Sequence, residues 1–286
     1  EKATEKVTEK ATEKATEEAA AASTEAETET EASGDFDFSS VKTVVSGTLT
    51  VATEAGFAPY EYMVGNNVEG IDMDIAQAIA DALGVKLEIK NETFDGALLE
   101  VSKGKVDMVA AGVSVSPERE KVMDFSEKYV DSKDVIIVNA DKPAVSESSV
   151  DGLKGKVVGV QQGNIADLWV SDSVKAKSVQ RYTQFSQAAE DLANGKIDAI
   201  VMDEAPAKEL VAGNAKLSIL KGDPLFEDSY AIALKKGNDQ MKDAVNAVIE
   251  QLQDSGKMDE IIERHTQAAQ MQAETEADTQ ASTEAE

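Results

Sequence analysis

Cysteine is absent from the 286 residues, which removes disulfides, thiolate metal sites and cysteine nucleophiles together. Histidine occurs once, as His265 at the end of the last helical pattern. A Ser-His-Asp triad or a histidine-built metal site therefore has almost nothing to draw on, and a lone terminal histidine reads as a surface or C-cap residue. No apolar run approaches the roughly 20 residues needed to cross a bilayer. No signal-peptide pattern opens the chain, so the expectation is a cytosolic or an already processed protein. Basic residues are few: 28 Lys and Arg stand against 55 Asp and Glu, a net charge of −27. That balance argues against nucleic acid as a partner.

Much of the negative charge lies near the ends. Residues 1–40 hold 12 acidic and 4 basic residues, and residues 266–286 hold 5 acidic and none basic, leaving −14 for residues 41–265. Residues 1–17 repeat Glu-Lys-(Ala/Val)-Thr, and residues 18–34 continue as Ala, Glu, Thr and Ser. Both end segments lack the branched apolar and aromatic residues a core needs, so both are expected to be disordered acidic tails. The first reads as a solvated spacer, or more plainly as a low-complexity leftover. Between them the chain is long enough for one large domain or two of ordinary size.

One pattern occurs twice in that core. Phe94-Asp95-Gly96-Ala97 through Gly104-Lys105-Val106-Asp107-Met108-Val109 returns, 91 positions on, as Phe185-Ser186-Gln187-Ala188 through Gly195-Lys196-Ile197-Asp198-Ala199-Ile200. Each copy reads as an amphipathic helix, a glycine stop and a short buried strand. Beyond the strands the copies diverge: the first reaches Gly112, Ser114, Ser116 and Arg119, and the second reaches Asp203. Ligands in open α/β sheets sit beyond the carboxyl ends of strands. One half thus offers an arginine with small residues and free amides, the other a carboxylate. A ligand carrying both a carboxylate and an ammonium group matches that pair.

The order of elements supports two such halves. Thr48–Thr53 alternates and is β-rich, and Pro59 keeps the following segment Glu54–Tyr60 from being helical. Asp72 or Asp74 can cap a helix in which Ile75, Ile79, Ala82 and Leu83 share a face, Gly84 stops it, and Val85–Ile89 is the next strand. The result is βαβαβ, a largely parallel sheet faced by helices. Gly155–Val160, a helix from about Ile165, a strand near Val179–Tyr182 and the second copy replay the scheme. Asp134–Val138 and Ser229–Leu234 read as extended segments outside both units. The fold class is therefore α/β, with lobe 1 over residues 41–134, lobe 2 over 135–228 and a return to lobe 1 over 229–265.

These residues carry a resemblance over roughly 45–265. Phe57-Ala58-Pro59-Tyr60, Gly70-Ile71-Asp72-Met73-Asp74-Ile75-Ala76, Phe94–Leu98, Gly104–Arg119, Asp124-Phe125-Ser126 and Gly159-Val160-Gln161-Gln162-Gly163 stand in order. Together they resemble the polar amino acid group of solute-binding proteins of ABC importers. The resemblance implies a type II periplasmic-binding-protein-like clamp, two lobes on two hinge strands, closing on one free amino acid with no cofactor and no metal. It implies that Arg119 pairs with the ligand α-carboxylate through its planar fork. The Ser114 amide and groups at Gly163 and Asn164 would add donors, although the family usually has threonine where Asn164 stands. Asp203 would accept the α-ammonium, helped by the Gly112 carbonyl and the Ser114 hydroxyl, with Ala111 also at the ligand, while Phe57 and Phe94 would sandwich the side chain.

Each assignment has a plainer competitor. Arg119 could be a surface arginine of a helix that starts at Ser116-Pro117, Asp203 a helix cap, Phe94 a core residue like its counterpart Phe185, and Glu54 an exposed loop acid instead of a partner for a basic or amide side chain. Trp169 reads as packing, and Asp72 with Asp74 as a helix N-terminus and not a metal pair. Two other classes compete: a sensor domain, and a cyclohexadienyl-dehydratase-like enzyme in which Glu54 or Glu204 is a general acid. The resemblance further implies a monomer outside the cytoplasm, an ABC permease as partner, and a lipid anchor on a cysteine just before Glu1.

Overall fold

The computed structural model describes residues 36–284. The Glu-Lys-Ala-Thr repeat and most of the expected 1–40 spacer lie outside the described residues.

Lobe 1 begins with β1 (Thr48–Thr53), followed by β2 (Gly56–Phe57), β3 (Glu61–Val64), β4 (Asn67–Glu69), α1 (Ile71–Leu83), β5 (Lys86–Asn91), α2 (Phe94–Ser102) and β6 (Met108–Val109). β1 pairs in parallel with β5 on one side and β6 on the other, as a βαβαβ order requires. β2 to β4 form a small antiparallel sheet, where the sequence suggested only a loop after Thr53. Strands of two to four residues carry too little periodicity to be read in advance. Neither Asp72 nor Asp74 caps α1: Gly70 occupies that position, and both aspartates sit inside the first turn with other partners.

Next come the short α3 (Pro117–Glu120) and β7 (Met123–Asn139), then lobe 2: β8 (Val157–Gln161), α4 (Ile165–Ser173), β9 (Ser178–Tyr182), α5 (Phe185–Ala193), β10 (Ala199–Asp203), α6 (Glu204–Ala212) and β11 (Leu217–Ile219). β8 pairs in parallel with β9 and β10, repeating lobe 1. The chain then runs through β12 (Phe226–Lys235), α7 (Asp239–Asp254) and α8 (Lys257–Glu284). β7, 17 residues long, pairs antiparallel with β12 and then with β10, and β12 also pairs with β6. The main sheet therefore reads β5-β1-β6-β12-β7-β10-β8-β9, with the two crossing strands side by side at its centre. They are the two extended segments expected between the lobes.

The repeated aspartate turns out to pin each lobe's first strand. Asp107 accepts from the amide and hydroxyl of Thr50 at 2.7 and 2.6 Å, and Asp198 accepts from the Val157 amide at 2.7 Å. This explains why a carboxylate recurs in both copies without facing a ligand.

Two expectations about the C-terminal end change. His265 is buried, with Nδ1 3.1 Å from the Tyr62 hydroxyl and Nε2 2.8 Å from Asp74, so it ties the end of the chain to lobe 1. Residues 266–284, expected as a tail, continue α8. Alanine, glutamine and glutamate are strong helix formers, and Ala269 and Ala273, four apart on one face, are buried. No helix among the described residues is long and apolar enough to cross a membrane.

Candidate functional site

The loop after β6 and the short helix α3 build one pole of the site. Ser116 caps α3 by accepting from the Arg119 amide, and Pro117 stands at its first turn, which fixes where the Arg119 side chain starts. Arg119 is only 6 % exposed, so it is no surface arginine. Its guanidinium lies 5.5 Å from the centroid of Phe94 and donates to the carbonyls of Ser114 at 2.5 Å and Gly163 at 2.9 Å. The second bond crosses from lobe 1 to lobe 2. Burial pulls the guanidinium down to about 10, while Asp228 and Asp203 push the other way, and it stays charged at neutral pH.

Asp203, the last residue of β10, forms the opposite pole. It occupies the N-cap position of α6 but makes no side-chain capping bond, so its carboxylate points elsewhere. One oxygen accepts from Ser132 Oγ at 2.8 Å and from the Tyr230 hydroxyl; the other is buried with no partner among the described residues. Burial, reinforced by Asp228, pushes this carboxyl up to about 7. Asp134 is fully buried and both its oxygens are unpartnered among the described residues. Burial and the charges of Asp203 and Asp228 push its carboxyl well up.

Between the poles lies an aromatic wall. Phe57 stacks on Phe185 of lobe 2 with centroids 6.0 Å apart and planes 25° apart, and it adjoins Tyr60 and Tyr230 at 6.0 and 6.4 Å. Gly112 has φ +53°, and a Cβ there would stand 2.8 Å from Phe57 Cε1, so only glycine lets the chain pass the ring. The Gly112 amide is held at 2.8 Å by Asp72, whose other oxygen takes the Tyr129 hydroxyl at 2.7 Å. Glu54 is 3 % exposed and accepts from Gln161 at 2.8 Å and Gln184 at 2.9 Å, both across the cleft. Gln162 reaches Asp95 in the same way at 2.7 Å. These bonds define a closed arrangement of the lobes.

The expected residues thus divide. Arg119, Ser114, Gly112, Phe57, Glu54, Gly163 and Asp203 line or bridge the cleft. Phe94 and Ala111 belong to a lobe 1 core cluster with Ala97, Val101 and Val113, and Phe94 serves as the floor under Arg119. The Gly163 amide donates to Asp167 at 3.1 Å, leaving its carbonyl to Arg119. Asn164 caps α4, accepting from the Ala166 amide at 3.0 Å. Trp169 stacks on Phe226 at 4.9 Å, as a packing residue should. Sequence reading missed Phe185, Gln161, Gln184, Asp134 and Asp228 as neighbours of the site. Only Phe185 carried a signal, as the second-lobe copy of Phe94.

Residues 49–268 match the bacterial extracellular solute-binding proteins, family 3. A putative ABC transporter arginine-binding protein 2 of Escherichia coli K12 is 31 % identical over 228 residues, covering 78 % of this chain and 92 % of that protein. An L-cystine-binding protein, TcyJ, of the same strain is 31 % identical over 219 residues, covering 76 % and 82 %. Among solved structures, the amino acid ABC transporter substrate-binding protein AbpA of Streptococcus pneumoniae, bound to L-arginine, superposes with a TM-score of 0.73 at 38 % identity, covering 78 % of this chain and 96 % of that one.

Proposed function

The chain belongs to the bacterial extracellular solute-binding proteins of family 3, and on that premise we propose that it captures a free polar amino acid between its lobes and hands it to an ABC importer. The observation that carries this reading is the pair of opposite charges across the cleft: buried Arg119 in lobe 1, and Asp203 with a free oxygen on the lobe 2 side. Arg119 spends two donors on carbonyls and keeps others for a carboxylate, which it can grip in bidentate fashion. Phe57, backed by Phe185, offers an apolar face to an aliphatic stem, and Glu54 accepts donors at its far end. That end suits a side chain bearing N–H groups, so arginine, the ligand in the names of two of the relatives above, is the first candidate.

The ligand acts as a latch. Only the closed form brings groups of both lobes onto one small molecule, so binding shifts the lobes toward closure, and the importer would read that closed surface. No bond is made or broken in this account. The site of action is outside the cytoplasm, at the membrane that carries the importer.

A thermal-shift screen against the common L-amino acids and cystine tests the reading. A ligand at about 1,000 times its Kd adds roughly 4 kcal/mol, or on the order of 8–16 °C for a domain of this size. One or a few amino acids should give such a shift and lose it in Arg119→Ala. No response to any of them would sink the proposal.

A further inference from the structure

Three carboxylates meet where the hinge strands pass from one lobe to the other. Asp134 lies on β7, Asp203 ends β10 and Asp228 lies on β12; the register sets Asp203 opposite Asp134, and Asp228 opposite Ser132 two residues away. One oxygen of each lies within 4.8 Å of those of the other two. Asp134 is fully buried with neither oxygen satisfied, and the buried Oδ2 of Asp203 is likewise free among the described residues. Burying bare carboxylates is unfavourable, and three together repel one another, so a cluster of this kind asks for a positive group.

We propose that Asp134, Asp203 and Asp228 form a three-carboxylate cage for the α-ammonium group of the bound amino acid, which makes Asp134 and Asp228 ligand-holding residues beside Asp203. The inference rests on the reading of the preceding subsection. Its geometric warrant is the shape of an ammonium group, which has three N–H donors at tetrahedral angles. Acceptors about 2.8 Å from the nitrogen along those directions stand about 4.6 Å apart, within the spacing seen here. The neighbours agree. Ser114 and Arg119 flank Asp228, which places the cage next to the groups expected at the ligand carboxylate. Lys128 and Asp131 act on Asp228 with opposite signs from β7, Ser132 and Tyr230 donate to Asp203, and the Tyr60 phenol faces the cluster from lobe 1.

One ammonium cannot balance three carboxylates. The cage therefore holds protons before the ligand arrives and gives up part of them on binding. Capture of the amine releases protons to solvent, and affinity rises with pH across the neutral range.

Calorimetric titration of the full chain tests this with the L-amino acid that gives the largest thermal shift, L-arginine being tried first. Runs in phosphate and in Tris at pH 7 count the protons released. Asp134→Asn and Asp228→Asn should weaken binding about 10- to 100-fold and lower the proton count, while their melting curves show a folded protein. The des-amino counterpart (5-guanidinopentanoic acid for arginine) should bind parent and variants alike. Variants that bind the amino acid as tightly as the parent, with the same proton count, would overturn the cage alone. So would stabilisation by calcium chloride that Asp134→Asn abolishes while amino-acid affinity is untouched. A parent that binds no amino acid at all would remove both the preceding reading and the cage.

Discussion

Gly112 leaves no room for a side chain. Its φ of +53° strains any L-residue, and an added Cβ would meet the Phe57 ring. Gly112→Ala is expected to cost about 1–3 kcal/mol in urea unfolding and to loosen ligand binding, because the ring can yield only by leaving the aromatic wall. Asp203 makes a prediction of opposite character. Its carboxyl is raised from 3.8 to about 7, so its contribution to stability is full below pH 3.8 and is lost as pH rises through 7. Asp72, raised to about 6 by burial, adds to the same slope. The Tm of the ligand-free chain should therefore fall less between pH 5 and pH 8 in Asp203→Asn than in the parent. Asp134→Asn should raise the ligand-free Tm outright at neutral pH, since the buried Asp134 carboxyl must keep a proton that it gives up on unfolding, and the amide carries no such cost. Arg119 and Asp203 stand out in the sequence as candidates because each closes a recognisable motif. Asp134 and Asp228 do not, since only cross-strand register brings together residues 94 positions apart in sequence.

At the scale of elements, α8 deserves a test of its own. It packs on α6, α7 and α1, and His265 fastens it to Tyr62 and Asp74. Burial pushes the Asp74 carboxyl up, but bonds from His265 and Arg264 outweigh that and hold it below its usual range. Stability from this contact is present above pH 3.8 and disappears as pH falls through the lowered value. His265→Ala is expected to lower stability by about 1–3 kcal/mol and to raise amide exchange along α8 without changing the ligand profile. Most elements could be read in advance, β1 to the residue, because period and glycine stops agree there. β2 to β4 were too short to show a period, and residues 266–273 looked like tail because their buried face is alanine alone.

At the largest scale, the described residues form a pair of lobes held by bonds that differ in where they lie. Gln161 and Gln184 on Glu54, Gln162 on Asp95 and Arg119 on Gly163 span the cleft, and none survives if the lobes part. Replacing both Gln161 and Gln184 by Ala removes closed-state contacts and should shift the population toward open forms. The expected outcome is a larger radius of gyration in small-angle scattering without ligand and a several-fold weaker affinity with it. An unchanged radius would show that these bonds do not hold the lobes shut. The two-lobe plan was legible from the repeat, but the closed state was not, because it depends on pairs of side chains that no periodicity links.

The three aspartates differ from those cross-cleft bonds in leverage. They sit on neighbouring strands of one continuous sheet, where the lobes pivot, and points on an axle travel little when the arms swing. On the cage proposed above, an arriving amino acid docks its amine while the jaws are still wide, and the far rim engages afterwards. Departure runs in reverse: the rim lets go first, and the amine leaves last. The pace of unloading is then set at the axle, where a small shift in β7 or β12 would matter more than a wide swing at the tips.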